Sequence, residues 1–177
     1  PLLAHAIASA ETEGTPQEAV ALFMALQRGL SDISLPRSTR EVLSRCIATL
    51  ADADNRAVAR AALARAALRA GDAAQAEPLA ALAVQEMPAG GAARAAVLAR
   101  VAFLRWRLHR DAGIAPWLDE ALALAQAAGD RALEGSVLSV QGAMCRGRDP
   151  DAAALLHRQA IDAWAAAGDA HGVQTGR

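Results

Sequence analysis

The chain has 177 residues, 54% of them apolar, and a formal net charge of −1, so it can bury a core and is too apolar for a disordered segment. The balanced charge excludes the basic footprint of a direct nucleic-acid binder or an anionic-membrane binder, and all 18 basic residues are arginine, which excludes a Schiff-base lysine or a P-loop lysine. Forty-nine alanines stand against three tryptophans, two phenylalanines and no tyrosine, a composition that favours packed helices because alanine has the highest helix propensity and loses no side-chain entropy.

In chain order, the pattern predicts helices near 2–12, 16–30, 38–52, 56–70, 73–87, 93–110, 115–128, 131–146 and 150–167, about nine in all. The segment Leu2 to Ala10 is apolar and ends in Ala8-Ser9-Ala10. It lacks the basic flank of a secretory leader, and its run is short. Thr15-Pro16-Gln17-Glu18 reads as a capping box with proline at the first helical position, and Ser38-Thr39-Arg40-Glu41 offers a second box. Pro78, Pro116 and Pro150 are expected in first turns, where proline costs little, and Pro36 and Pro88 in connections. No run alternates long enough to predict a strand. No run reaches the roughly 18 apolar residues of a membrane span. The two cysteines, Cys46 and Cys145, stand far apart in helical patterns. A disulfide framework is therefore not expected, and a cytoplasmic location is.

An internal repeat organises these helices. Ala6-Ile7, Cys46-Ile47, Ala83-Val84, Ala121-Leu122 and Ala160-Ile161 recur at spacings of 40, 37, 38 and 39 residues. Eight residues after each small anchor stands Gly14, Asp54, Gly91, Gly129 or Gly168, followed by Thr15, Asn55, Ala92, Asp130 or Asp169. Glycine takes the left-handed conformation that ends a helix. Thr, Asn or Asp then accepts from the free N–H groups that open the next. Each repeat is thus expected to be two antiparallel helices.

Residues 57–88 resemble a tetratricopeptide repeat. Leu63 and Ala64 stand where that family has leucine and a small residue, Gly71-Asp72 matches the turn between its two helices, and Ala76, Ala83 and Pro88 match its small-small-proline positions. The period is longer than the family's usual one. It is similar to the variant repeats of large bacterial regulators, in which stretches like Ala121 to Asp130 recur. The resemblance implies an all-α fold over residues 1–177: a single right-handed superhelical solenoid of antiparallel helix pairs, about four repeats. The register at either end predicts a stretch truncated from a longer stack. Exposed terminal helices would then offer contacts for an oligomer.

Catalytic patterns are missing. His5, His109, His157 and His171 form no HExxH pair and stand near no cysteine at metal-ligand spacing. Cys46 replaces alanine at an anchor and reads as a core residue. Cys145 stands beside Arg146 with no general base next to it. Asp119 and Glu120 are adjacent, and neighbours on a helix diverge. Asp149 reads as an N-cap before Pro150. Gly90-Gly91 has no phosphate-loop pattern. No cofactor and no metal are expected, and the chain is not expected to be an enzyme.

One helical face does stand out. Near 93–110, Val97, Val101, Leu104 and Leu108 form an aliphatic stripe, while Ala99, Phe103, Trp106, Arg107 and Arg110 fall on the other side. The resemblance implies that first helices line a concave surface. It places Arg65 and Arg69 at two ligand-facing positions and Phe103, Trp106 and Arg107 near the corresponding ones of the next repeat. Arginine binds carboxylates bidentately and the aromatics can anchor an apolar group. The alternative is that Phe103 and Trp106 pack between repeats while the arginines are solvated. Trp164, four residues beyond Ala160, reads as a filler between repeats. The expected function is a non-catalytic protein–protein interaction module, a scaffold or sensor arm of a larger bacterial protein, with an acidic or carboxylate-ended protein or peptide partner. The alternative function is a small-effector-sensing segment of a bacterial transcriptional regulator or signalling enzyme.

Overall fold

The computed structural model describes Ser9 and residues 16–29, 34–109 and 113–176. Apart from Ser9, the predicted helix at 2–12 with its anchor Ala6-Ile7 and His5, the cap Gly14-Thr15 and Arg110 lie outside the described residues. Among the described residues the chain is all-helical, with no strand. Its helices are α1 (Pro16–Gly29), α2 (Arg37–Ala48), α3 (Ala53–Arg69), α4 (Ala73–Gln85), α5 (Gly91–Arg107), α6 (Ile114–Ala127), α7 (Arg131–Cys145), α8 (Pro150–Ala166) and α9 (Ala170–Gly176). They fall into two compact units, Pro1–Pro88 and Ala89–Arg177.

Short turns set the helix ends. At Gly71-Asp72, Gly129-Asp130 and Gly168-Asp169 the glycine has φ of 77°, 67° and 71°. In each turn the aspartate N–H donates back to the preceding helix, to Ala67 O (3.0 Å), Ala125 O (3.0 Å) and Trp164 O (2.9 Å). The same aspartate side chain caps the next helix, accepting from the N–H of Gln75 (3.1 Å), Leu133 (2.9 Å) and Gly172 (2.9 Å). One residue therefore closes one helix and opens another. Asp149 caps α8 in the same way, from Ala152 N–H at 2.9 Å, with Pro150 behind it.

Several local expectations are corrected. Helix α2 ends at Ala48 rather than near 52, and Asp52, not Asn55, caps α3 by accepting from Asn55 N–H at 2.7 Å. Asp52, Asp54 and Asn55 are all capping types, so spacing alone picked the wrong one. The Ser38 box does not form. The extended Pro36 (φ −54°, ψ 150°) puts Arg37 at the start of α2, and no side chain caps it. Glu41 pairs instead with Arg37 across an exposed turn at 3.0 Å. Pro78 sits inside α4 rather than in its first turn, where it removes one intrahelical bond to Ala74, an exposed residue whose carbonyl water can reach. Gly91 does take a left-handed φ of 68°, but at the first residue of α5 rather than at the end of α4.

The repeat anchors are buried: Cys46 is 2% exposed, Ala83 and Ala121 0%, and Ala160 1%. In the first unit α1 packs on α2, α2 on α3 and α3 on α4, and α1 also reaches α3. In the second unit α5 packs on α6, α6 on α7, α7 on α8 and α8 on α9, while α5 reaches α7 and α7 reaches α9. Helix α3 is covered nearly all round, with Ala57, Ala59, Ala61, Ala62, Leu63 and Ala64 all buried. Small residues permit such crowding, because interaxial distance follows side-chain size.

Arg40 holds the first unit together from α2. Its buried guanidinium donates to Leu35 O (2.6 Å), Gln75 Oε1 (2.6 Å) and Asp72 Oδ2 (2.8 Å). The Asp72 carboxyl lies below its ordinary pKa, chiefly through the Gln75 N–H and further through Arg40, against the opposing effect of burial. In the second unit Trp164 of α8 fills a slot that two glycines leave open. Its Nε1 donates to Ala132 O at 3.2 Å. A Cβ on Gly135 of α7 would lie 2.7 Å from Trp164 Cδ1 and 2.9 Å from Ala160 O, and one on Gly172 of α9 would lie 2.6 Å from Trp164 Cδ2. Farther along, a Cβ on Gly142 would meet Ala153 O at 3.2 Å. The expected filler role of Trp164 is what the packing gives it.

Gly135→Ala is expected to lower stability by about 1–3 kcal/mol through overpacking against a rigid indole. Trp164→Leu in the same chain should relieve part of that loss. Urea unfolding of the two single variants and the double variant checks this, and simple additivity would contradict the contact.

Candidate functional site

Four arginines of α3 divide into two pairs. Arg56 and Arg60, at its start, hold Glu86 just beyond the end of α4: Arg56 Nε stands 3.2 Å and Arg60 NH1 2.6 Å from Glu86 Oε2. Burial pushes the Glu86 carboxyl up, but the two arginines outweigh it and leave its pKa below the ordinary value. Arg56 also donates to Leu50 O and Ala51 O. Arg65 and Arg69 follow on the C-terminal half, one turn apart on a common face, and both are half-buried. Both already engage other groups of the protein. Arg69 in the last turn also complements the helix dipole.

The remaining predicted site residues belong to the second unit, at the end of α5. Val97, Val101 and Leu104 are buried as expected, and so is Ala99 on the other side. Phe103 and Trp106 meet, with ring centroids 6.0 Å apart and planes tilted by 55°, an arrangement favourable to aromatic pairs. Both are half-buried and Arg107 is exposed. One contact here escaped the sequence. The Arg105 guanidinium lies 4.4 Å from the Trp117 ring centroid, a cation–π pair joining α5 to α6. A helical wheel could not show it, because its partner is on another helix. The structure thus brings Arg65 and Arg69 onto one face of the first unit, and Phe103, Trp106 and Arg107 onto one helix end in the second.

Asp119 and Glu120 diverge as expected. Glu120 is paired with Arg94 of α5, whose hydrogen bond lowers its pKa, whereas Asp119 accepts from Gln141 Nε2 of α7 at 3.1 Å. They cannot act as an acid/base couple. His109 is exposed and closes α5 in a left-handed conformation, φ 55°. His157 accepts from Arg146, at 3.2 Å from its Nε2. Among the described residues, no group of three or more His, Cys, Asp and Glu could hold a metal, and no helix is long and apolar enough to cross a membrane. A cavity of about 270 Å³ opens between α6, α7 and α8, with Leu118, Met144 and Leu156 among its walls. None of the predicted site residues lines it. No periodicity could reveal it, since its lining comes from three helices.

No protein-family model matches the chain, and no curated protein matches it. Among solved structures, the crystal structure of BtubC (BKLC) from P. vanneervenii is similar over 90% of this chain and 76% of that one, with a TM-score of 0.58 and 17% identity. At that identity the likeness is one of fold.

His157 gives a prediction. Burial, and then the neighbouring Arg146 cation, hold its pKa below 6.5. The unfolded chain therefore binds a proton that the folded chain resists. The resulting stability is present above about pH 6.5 and is lost as pH falls through the folded value. Asp72, Glu86 and Glu120, whose pKa values lie below the ordinary carboxylate values of 3.8 and 4.5, act in a more acidic window. His157→Gln is therefore expected to flatten the fall in urea midpoint between about pH 7 and 5. Parallel curves for parent and variant would contradict this assignment.

Proposed function

We propose that this chain is a stretch of a tetratricopeptide-like, right-handed solenoid of antiparallel helix pairs, and that it works by binding a protein partner rather than by catalysis. The observation that carries the reading is the order in which helix ends meet inside each unit. The start of α3 meets the end of α4 through Arg56, Arg60 and Glu86. Gly135 lies against Ala160 and Gly142 against Ala153, so sequence order along α7 reverses along α8. Alternate helices instead match start to start, as where Arg40 of α2 reaches Asp72 and Gln75 at the head of α4. Adjacent helices opposed and alternate helices alike is the pattern of stacked pairs, which present extended binding surfaces.

On this reading α1, α3, α5, α7 and α9 are first helices, and the surfaces of interest are Arg65 and Arg69 on α3 and Phe103, Trp106 and Arg107 on α5. Each set offers part of what an acidic or carboxylate-ended segment needs: positive charge on one face of α3, and half-buried rings beside the exposed Arg107 on α5. The partner is a protein or peptide inside the cell, and no nucleic acid or membrane is involved. The small-effector reading is favoured by a separate observation, the cavity between α6, α7 and α8.

Charge reversal tests the principal reading. Arg65→Glu with Arg69→Glu is expected to abolish capture of a defined partner from cell extract, and because both arginines are half-buried and engaged the comparison is made where circular dichroism shows the variant folded. Capture of the same partner at parental levels by the folded variant would refute the role of α3.

A further inference from the structure

We propose that the cavity between α6, α7 and α8 is a binding site for a small amphipathic monocarboxylate, its apolar body in the cavity and its carboxylate on Arg148. This site lies within the second unit and does not depend on the peptide-binding reading of α3 and α5.

Size and lining set the apolar part. The cavity is open to solvent on one side and measures about 270 Å³, room for a small apolar body. Leu118, Met144 and Leu156 supply aliphatic and thioether walls, and soft methionine adapts to ligand shape. Apolar pockets with a few polar groups at fixed places are the usual form of small-molecule sites.

The polar groups set the charge. Arg148, in the turn between α7 and α8, lines the cavity. Its guanidinium has no hydrogen-bond or ion-pair partner among the described residues, whereas Arg40, Arg60 and Arg94 each hold a carboxylate. Its neighbour Asp149 is committed to capping α8. The one acid in the lining, Asp119, is already engaged by Gln141. Gln141 lies on α7 itself and Arg148 in the turn beyond its end, so the Asp119–Gln141 pair and Arg148 reach the cavity from different parts of the chain. Arg148 is exposed and places at the cavity a cation that no carboxylate of the described residues pairs with, and Asp119, in the same lining, disfavours a second negative charge on the ligand. One carboxylate with an apolar body satisfies both conditions.

The chain carries its own reporter. Cys145 lines the cavity and is half-buried, while Cys46 is 2% exposed on α2. The test is alkylation of the intact chain by iodoacetamide under rising 4-phenylbutyrate, followed by mass spectrometry, with Cys46 as the protected control. Saturation-transfer NMR on the same ligand gives the midpoint independently of the thiol. The expected result is saturable protection of Cys145 with a midpoint of about 1 mM or below, none from the uncharged 4-phenylbutyramide, and a midpoint about tenfold higher in Arg148→Ala. No saturation by about 10 mM in either measurement, equal binding of the amide, or an unchanged midpoint in Arg148→Ala would each overturn the proposal.

Discussion

At each described repeat anchor the chain carries nothing larger than cysteine. Cys46 and Ala83 in the first unit, and Ala121 and Ala160 in the second, are all at most 2% exposed. Once these positions are small, neighbouring backbones come close enough for longer side chains to interlock over them. Around Ala160 the consequence can be followed in detail. Its carbonyl oxygen lies 2.9 Å from where a Cβ on Gly135 would sit, and the Trp164 indole fills the slot beside it up to Gly172 of α9. Close approach of backbones, rather than the size of individual hydrophobic groups, gives an alanine-rich chain its core.

Arginine completes what alanine leaves unfinished. Small side chains bury little area each, so helix ends need other fastenings. Arg40, Arg56, Arg60 and Arg94 supply them by reaching carboxylates on or at the ends of neighbouring helices, and Arg40 and Arg56 also carbonyls of the connections. The planar fork serves this purpose better than an ammonium, because it satisfies several acceptors at once. Against that background, the exposed Arg148 at the cavity and Arg107 at the end of α5 make no such contact among the described residues.

How legible all this was in the sequence depended on how local each feature is. The Gly-Asp turns were readable because their bonds close within six residues, and the helices between them followed to within a few positions. The Phe103–Trp106 contact and the common face of Arg65 and Arg69 were readable because helical geometry alone places residues three and four apart together. Asp52 was missed as a cap because Asp54 and Asn55 offer the same chemistry one turn later. The clamp from Arg40 to Asp72, the glycine slot around Trp164 and the cavity beside Cys145 join residues that no periodicity relates. A buried arginine at a position resembling a capping box has no local signature that separates it from a solvated one.

The most direct test of the close-approach account is a pair of anchor substitutions followed by urea unfolding. Cys46→Ala installs the residue that the other repeats carry, and should cost about 1 kcal/mol or less. Ala121→Leu adds bulk where Ala121 is 0% exposed, and should cost about 1–3 kcal/mol or abolish the cooperative transition. That ordering would establish that small anchors hold the helices at their observed spacing. An Ala121→Leu chain as stable as the parent would show that the spacing is set elsewhere.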